Sequence, residues 1–137
     1  MAIKGVLQNA INEIPNIQTG RALEIICQEL TGKVSKIIDA NNDGDLVNVK
    51  DIDILFVDTS SGNVTIGGFI NGISGQTVQV VVTDASGNTT IENDEGGGGQ
   101  EIATETEGDL TLTATFGGWT FICNGTAWFQ VGGTTNE

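Results

Sequence analysis

The clearest pattern along the chain is an alternation of apolar and polar residues in its last third. From Asp109 the sequence reads DLTLTATFGGWTFICNGTAWFQV, and its first residues alternate leucine or alanine with threonine. A period of two predicts a strand with one face turned toward a core. The Asn124-Gly125 pair between two β-rich runs predicts a hairpin, because both residues tolerate the positive φ of a tight turn.

Both faces of this predicted hairpin are apolar. A two-residue turn sets Phe121 opposite Trp128 and Ile122 opposite Ala127. One face carries the residues expected in the core: Trp119, Phe121, Cys123 and Trp128. The other face carries a second apolar row: Ile122, Ala127, Phe129 and Val131. An antiparallel hairpin in a small monomer usually keeps one face in water, so the second row predicts a contact with a neighbouring chain through Ile122, Phe129 and Val131.

The start of the chain has a helical pattern instead. Apolar residues between Ile3 and Ile14 recur at helical spacing, and this helix is expected to stop before Pro15. A second helix is predicted in the run RALEIICQELTGKVSKII. Its apolar positions follow a heptad seam: Leu23, Cys27, Leu30, Val34 and Ile37. Leu23, Leu30 and Val34 are therefore candidate contacts between chains, and packing of the helix on its own domain is the alternative.

A polar run with calcium-ligand spacing follows this predicted helix. It opens with D-x-N-x-D-G, in which oxygens at alternate positions converge on calcium and the glycine permits a sharp turn. The candidate ligands are Asp39, Asn41, Asp43, Asp45 and Asp51. The run resembles the calcium loop of dockerin modules with one inserted residue, because Lys50 holds the closing position and the acid follows it. A polar turn that ends a helix is the alternative.

From Leu55 onward the period is two. Two copies of a turn and strand, SSGNVTI and ASGNTTI, place Ile66 and Ile91 at matching inward positions, and Val78, Val80 and Val82 share one strand face. The run ENDEGGGGQE predicts a solvated, mobile loop, with a metal site at Glu92, Asp94 and Glu95 as the alternative. The predicted fold class is α+β: a helical segment at 1–57 for anchoring and oligomerisation, then an antiparallel β-sandwich or barrel-like domain at 58–137.

Charge and composition narrow the function. The chain has a net charge of −13, and all five basic residues lie in the first fifty positions, beside six of the eighteen acids. The remaining twelve acids have no base among them, which disfavours nucleic-acid binding. No window is apolar enough for a membrane span, and the N-terminus lacks a signal-peptide pattern. The two cysteines, Cys27 and Cys123, are expected as buried free thiols rather than a disulfide.

Catalysis has little support in the sequence. There is no histidine to activate either cysteine. Glu105 and Glu107 imitate a glycosidase pair, but carboxylates two apart on a strand usually form a wet face. Trp119 and Trp128 could stack on a sugar, although filling the core or an interface is the favoured interpretation. We therefore expect a protein that is not an enzyme.

A succession of strand and turn motifs covers roughly residues 61 to 132. These motifs are VTI at 64–66, GFI at 68–70, NG at 71–72, GQTV at 75–78, DASGN at 84–88, DLTL at 109–112, GWTFI at 118–122 and Trp128. The succession resembles the small β-domains of tailed-phage fibres, in which each chain contributes one set of strands to a trimer. The D-x-N-x-D-G loop is not part of that pattern.

The resemblance implies a structural virion protein. It would be a homotrimeric head fibre, or a capsid- or tail-attached fibre, assembled in the host cytoplasm and displayed on the virion surface. The nearly neutral residues 1–50 would dock on a capsid or other virion protein, and the acidic β-domain would project outward for adhesion to a host-surface glycan or mucus. The alternative is a calcium-dependent cell-surface adhesion module or a carbohydrate-binding module, with calcium as the only cofactor considered.

Overall fold

The computed structural model describes residues 33–41 and 45–134. The chain divides into two units, residues 1–33 and 34–137, and all the strands of the described part belong to the second. These eleven strands are β1 (Ser35–Asp39), β2 (Leu46–Asn48), β3 (Ile54–Asp58), β4 (Val64–Ile66), β5 (Gly68–Ile70), β6 (Thr77–Val82), β7 (Thr89–Ile91), β8 (Glu101–Ala103), β9 (Leu110–Leu112), β10 (Gly117–Cys123) and β11 (Ala127–Gly133).

The strands form three sheets that arise from a solenoid-like stacking of the chain. A six-stranded sheet has the order β1-β3-β6-β10-β11-β8, a three-stranded sheet the order β4-β7-β9, and a two-stranded sheet pairs β2 with β5. Successive layers repeat the same path, so that β1, β3 and β6 are parallel neighbours in the first sheet and β4 and β7 in the second. Strand β10 then returns antiparallel to β6 and forms the hairpin with β11.

The corners between the first and second sheets use one device repeatedly. At the end of β3, Asp58 accepts a hydrogen bond from the Ser60 amide at 2.9 Å, and after β6 Asp84 accepts one from the Ser86 amide at 2.8 Å. A carboxylate that binds the backbone two residues on stabilises a tight turn. Each corner then leads into a short strand, which is why SSGNVTI and ASGNTTI lie one above the other.

The core lies between the three sheets. Its largest members are aromatic: the Phe69 ring meets Phe121 and Trp128 edge to face, with centroids 5.9 and 5.0 Å away. Ile66 pairs with Ile91 across parallel strands and both are fully buried, which confirms the predicted match between the two turn repeats. Val78, Val80 and Val82 are also buried, as their alternation predicts.

The predicted α+β fold class is wrong for the described residues, which contain no helix and are about half strand. Residues 35–38, assigned to the end of the second helix, form β1, and strand β2 and most of β3 also lie within the predicted helical segment 1–57. In β1 only Ile38 is fully buried, and β-branched residues at such positions favour a strand. The first predicted helix and most of the second lie outside the described residues.

The predicted antiparallel sandwich or barrel is wrong as well. Five of the eight strand pairings are parallel, and three are antiparallel. The repeated Ser-Gly-Asn turns do not join antiparallel neighbours. They carry the chain from one sheet to the next, and the neighbour of each strand is supplied by the following layer.

Candidate functional site

The hairpin of β10 and β11 positions the candidate site. Its loop is longer than predicted, because the Asn124 side-chain oxygen accepts hydrogen bonds from the amides of Thr126 and Ala127, both at 2.9 Å. Cys123 therefore pairs with Trp128, and Ile122 pairs with Phe129. The predicted register is wrong by two residues, but a shift of two leaves every side chain on its predicted face.

The aromatic side chains and the cysteine on the inner face of the hairpin are buried. Trp119, Phe121, Cys123 and Trp128 are each at most 2% exposed, which confirms their assignment to the core. The Trp128 indole donates to Gln100 Oε1 at 3.1 Å, and the Trp119 indole donates to the Thr134 carbonyl at 2.9 Å. Cys123 is a free, buried thiol, as expected. Both tryptophans are thus used inside the molecule rather than as a surface for stacking sugars.

The outer face of the hairpin is apolar and exposed. Ile122 is 38% exposed, Phe129 44% and Val131 53%. The register of the six-stranded sheet continues this surface, since Thr77 pairs with Ile122, and Phe129 pairs with Ala103 of β8. Further along the same face, Val81 of β6 and Ile37 of β1 are also exposed and lie on either side of Phe56.

This surface is uncharged in its central strands. The outward-facing residues of β6, β10 and β11, which we call the neutral face, are Thr77, Gln79, Val81, Gly118, Thr120, Ile122, Phe129, Val131 and Gly132. The acids of the same sheet lie at its margins, at the ends of β1 and β3 and on the edge strand β8. In a chain with a net charge of −13, an uncharged surface such as the neutral face exposes another acidic chain to little repulsion.

A β-bulge shapes the neutral face. Thr120 pairs with Gly132, but Phe121 pairs with Gln130, so Val131 is an extra residue in β11. A bulge increases the local twist and re-aims the neighbouring side chains. Val131 faces outward with Phe129, as the alternation of the sequence predicts, and the bulge leaves Gly132 opposite Thr120. The alternation does not predict the bulge.

Of the other predicted interface residues, Val34 is 44% exposed and precedes β1. Its amide donates to Asp53 Oδ2 at 2.9 Å, and its carbonyl accepts from the amides of Asp53 and Ile54. Leu23 and Leu30 lie outside the described residues. The helical seam is wrong at its C-terminal end, because Val34 precedes β1 and Ile37 lies in it. Contact between chains through Leu23, Leu30 and Val34 stays a prediction.

The candidate calcium ligands have separate environments in the structure. Asp39 accepts a hydrogen bond from the Asn41 amide at 2.8 Å, the same corner device that Asp58 uses. The Asp45 carbonyl accepts bonds from the amides of Gly67 and Gly68 at 2.7 and 3.2 Å. Asp51 has a positive φ of 60°. Asp43 lies outside the described residues.

Asp45 and Asp51 line different cavities. Asp51 borders a groove of about 610 Å³ together with Lys50, Asp53 and Asn71. Asp45 borders a cavity of about 440 Å³ together with Glu92 and Glu95. Within residues 33–41 and 45–134, no group of three or more carboxylates or cysteines has the geometry of a metal site. Calcium binding at the D-x-N-x-D-G loop stays a prediction.

The cavity beside Asp45 perturbs one carboxyl group. Burial raises the pKa of Glu92 above its ordinary value of 4.5, and the negative charges of Asp45, Glu95 and Asp109 raise it further. The sequence pattern groups Glu92 with Asp94 and Glu95, but the fold brings Asp45 to this cavity.

The run ENDEGGGGQE is mainly a loop, as predicted, but only about half of its residues are exposed. Gly96 is buried and its amide donates to the Gly67 carbonyl at 3.1 Å. Gln100 exchanges two backbone hydrogen bonds with Phe69, and a Cβ on Gly68 would lie only 2.8 Å from the Gln100 carbonyl. The glycines therefore permit close approach of two backbone segments, and of the four glycines at 96–99 only Gly97 and Gly98 are exposed.

Glu105 and Glu107 do not share a strand face. Both are exposed in the turn that follows β8, and Glu107 has a positive φ of 57°. Their predicted placement is wrong because β8 ends at Ala103.

No protein-family model matches the chain. No curated protein matches it either. In the part of the chain that the structure describes, no helix is long and apolar enough to cross a membrane.

Proposed function

We propose that this protein is a structural fibre protein of a tailed-phage particle. It assembles as a homotrimer, docks on a capsid or other virion protein through residues 1–50, and displays its acidic β-rich part outward. It acts by assembly and adhesion, with no catalytic role. The observation that carries this proposal is the neutral face, an exposed apolar surface on the sheet whose opposite side already packs in the core.

The energetics favour burial of the neutral face between copies of the chain. Removing an exposed valine, isoleucine or phenylalanine side chain from water contributes roughly 1.5–3 kcal/mol each at full burial. Ile122, Phe129 and Val131 are about half exposed in one chain. Burying the exposed part of each side chain in an interface would therefore contribute a substantial share of that free energy. In a closed symmetric assembly this burial stabilises every interface between copies, and the assembly also covers sheet edges.

Charge argues for the same arrangement. Residues 51–137 contain acids and no base, so copies packed through their acidic corners would repel one another. Contact through the neutral face keeps the acids at the periphery. An acidic, hydrated periphery is also suited to a part that projects from a particle, because it keeps particles from associating with each other.

The first prediction tests this assembly. Phe129→Asp places a charge in the proposed interface, where burying it unpaired costs several kcal/mol, so the variant should sediment as a monomer while the wild-type chain sediments as a trimer. Phe129 is 44% exposed in the single chain, so the isolated fold should survive, which circular dichroism would verify.

Thr113→Asp is the matched control. Thr113 is exposed in the loop between β9 and β10, and this variant adds the same charge away from the neutral face. It should remain trimeric. A wild-type chain that is folded and monomeric at micromolar concentration would contradict the proposal.

A further inference from the structure

One glycine of the neutral face has no reason within its own chain to be glycine. Most glycines of the described part either have a positive φ or lie so close to another atom that a Cβ would collide with it. Gly132 in β11 does neither, since its φ is not positive and an added Cβ would meet no atom within 4 Å. Gly108 shares both properties, but it lies in a turn rather than in a strand.

The neighbouring bulge does not account for Gly132. The conformation that favours glycine after the extra residue is adopted by Gly133, which has a φ of 137° and whose Cβ would collide with the Gly118 carbonyl. Gly132 itself pairs with Thr120 in ordinary extended backbone. A glycine inside a strand weakens that strand, and it commonly marks a place where a ligand or another backbone approaches closely.

The surroundings of Gly132 form a recess. Thr120 lies opposite it, and the exposed side chains of Val131 and Phe129 stand beside it. Next to it, a cavity of about 390 Å³ opens over β6 and β10 and is lined in part by Val81, Gly118, Thr120 and Gly133. Gly132 itself does not line this cavity, but its pairing partner Thr120 and its neighbour Gly133 do, so the recess adjoins Gly132 and is bordered by the apolar side chains of the neutral face.

We infer that the recess at Gly132 receives an apolar side chain of a second copy of this chain. This inference rests on the proposed assembly and names the contact that fixes how the copies fit together. The occupant is another copy because the recess is continuous with the neutral face, which carries no charge that a cationic or anionic partner would recognise. The same face supplies the protruding side chains, Ile122, Phe129 and Val131, that a recess of this kind accommodates.

The test replaces Gly132 in the full-length chain with alanine and with valine. Valine favours extended backbone, and there is open space for it within one chain, so the melting temperature of the dissociated variant should equal or exceed that of dissociated wild type. Filling the recess overpacks the interface, and the dissociation constant measured by sedimentation equilibrium should rise at least tenfold for Gly132→Val and less for Gly132→Ala. Gly108→Ala is the control and should leave the trimer unchanged.

Failure of this inference is distinguishable from failure of the proposed assembly. If wild type is a trimer and Gly132→Val associates equally well, the recess is not in the interface, although the assembly stands. If wild type is a monomer, the assembly and the inference both fall. If Gly132→Val melts far below wild type at concentrations where both are monomeric, glycine is required by the chain's own fold and the inference is overturned.

Discussion

At the scale of single residues, two buried threonines differ in one respect that can be measured. Thr89 and Thr59 are both almost fully buried, but Thr89 Oγ1 has no hydrogen-bond partner. Thr59 Oγ1 donates to the Asp84 carbonyl at 2.6 Å and accepts from the Gly87 amide at 2.9 Å. A buried hydroxyl without a partner costs free energy that a methyl group of the same shape would not.

We predict that Thr89→Val raises the free energy of unfolding by about 1 kcal/mol, because it removes an unpaired polar atom from the core without changing its volume. Thr59→Val should lower it by about 1–3 kcal/mol, since it leaves the Gly87 amide without its acceptor. Urea denaturation of both variants checks the pair. A loss of stability in Thr89→Val would mean that its hydroxyl finds a partner in solution.

Glu92 gives a prediction about pH. Its pKa is raised by burial and by Asp45, Glu95 and Asp109, so the folded chain holds this proton more tightly than the unfolded chain does. Its contribution to stability is therefore fully present below pH 4.5 and is lost as the pH rises through the raised pKa.

The variant Glu92→Gln should accordingly melt at a higher temperature than wild type at pH 7, and the difference should shrink toward pH 4. Glu105→Gln is the control, because Glu105 is exposed in a turn and should shift the melting temperature little at either pH. Calorimetry at both pH values decides the question. If Glu92→Gln and wild type melt at the same temperature at pH 7, the Glu92 carboxylate does not destabilise the folded chain.

At the scale of secondary-structure elements, the strands were predictable where their neighbours are close in sequence. The hairpin follows from the Asn124-Gly125 pair and the alternation on either side of it. Its register was not predictable, since it depends on the Asn124 side chain, which bonds the amides of Thr126 and Ala127 and lengthens the loop. The two faces of the hairpin were predictable, because they depend only on the alternation of residues with a period of two.

The parallel stacking of the strands could not be predicted from the pattern of apolar and polar residues. Ser-Gly-Asn turns followed by Val-Thr-Ile or Thr-Thr-Ile fit a hairpin and a solenoid corner equally well, because the choice is made by strands of the next layer, about 25 residues away, as Val64 and Thr89 illustrate. Strand β1 was missed for a related reason. Short segments such as Val34 to Ile38 satisfy helical spacing and strand pairing alike, and pairing with β3 decides between the two structures.

At the scale of the whole molecule, the candidate site was predicted in part. Exposure of Ile122, Phe129 and Val131 follows from alternation, and the structure places Val81 and Ile37 on the same sheet face. The recess at Gly132 could not be predicted, because a glycine in a sequence does not reveal whether its own chain fills the space above it. That information exists only when all eleven described strands are in place.

The last prediction concerns the division of the chain between docking and display. The buried core of the described part consists of residues from Ile38 to Trp128, so a chain lacking residues 1–15 should keep its β-rich fold, its melting temperature and its trimeric mass. The removed segment contains one base, Lys4, and one acid, Glu13, so the net charge of the chain is unchanged. Any loss of docking then reflects the segment itself rather than altered repulsion.

The truncated protein should be absent from purified particles that incorporate the full chain, as measured by immunoblotting after density-gradient purification. Incorporation at the wild-type level would mean that residues 1–15 are not needed for docking and would contradict their assignment as part of the anchor.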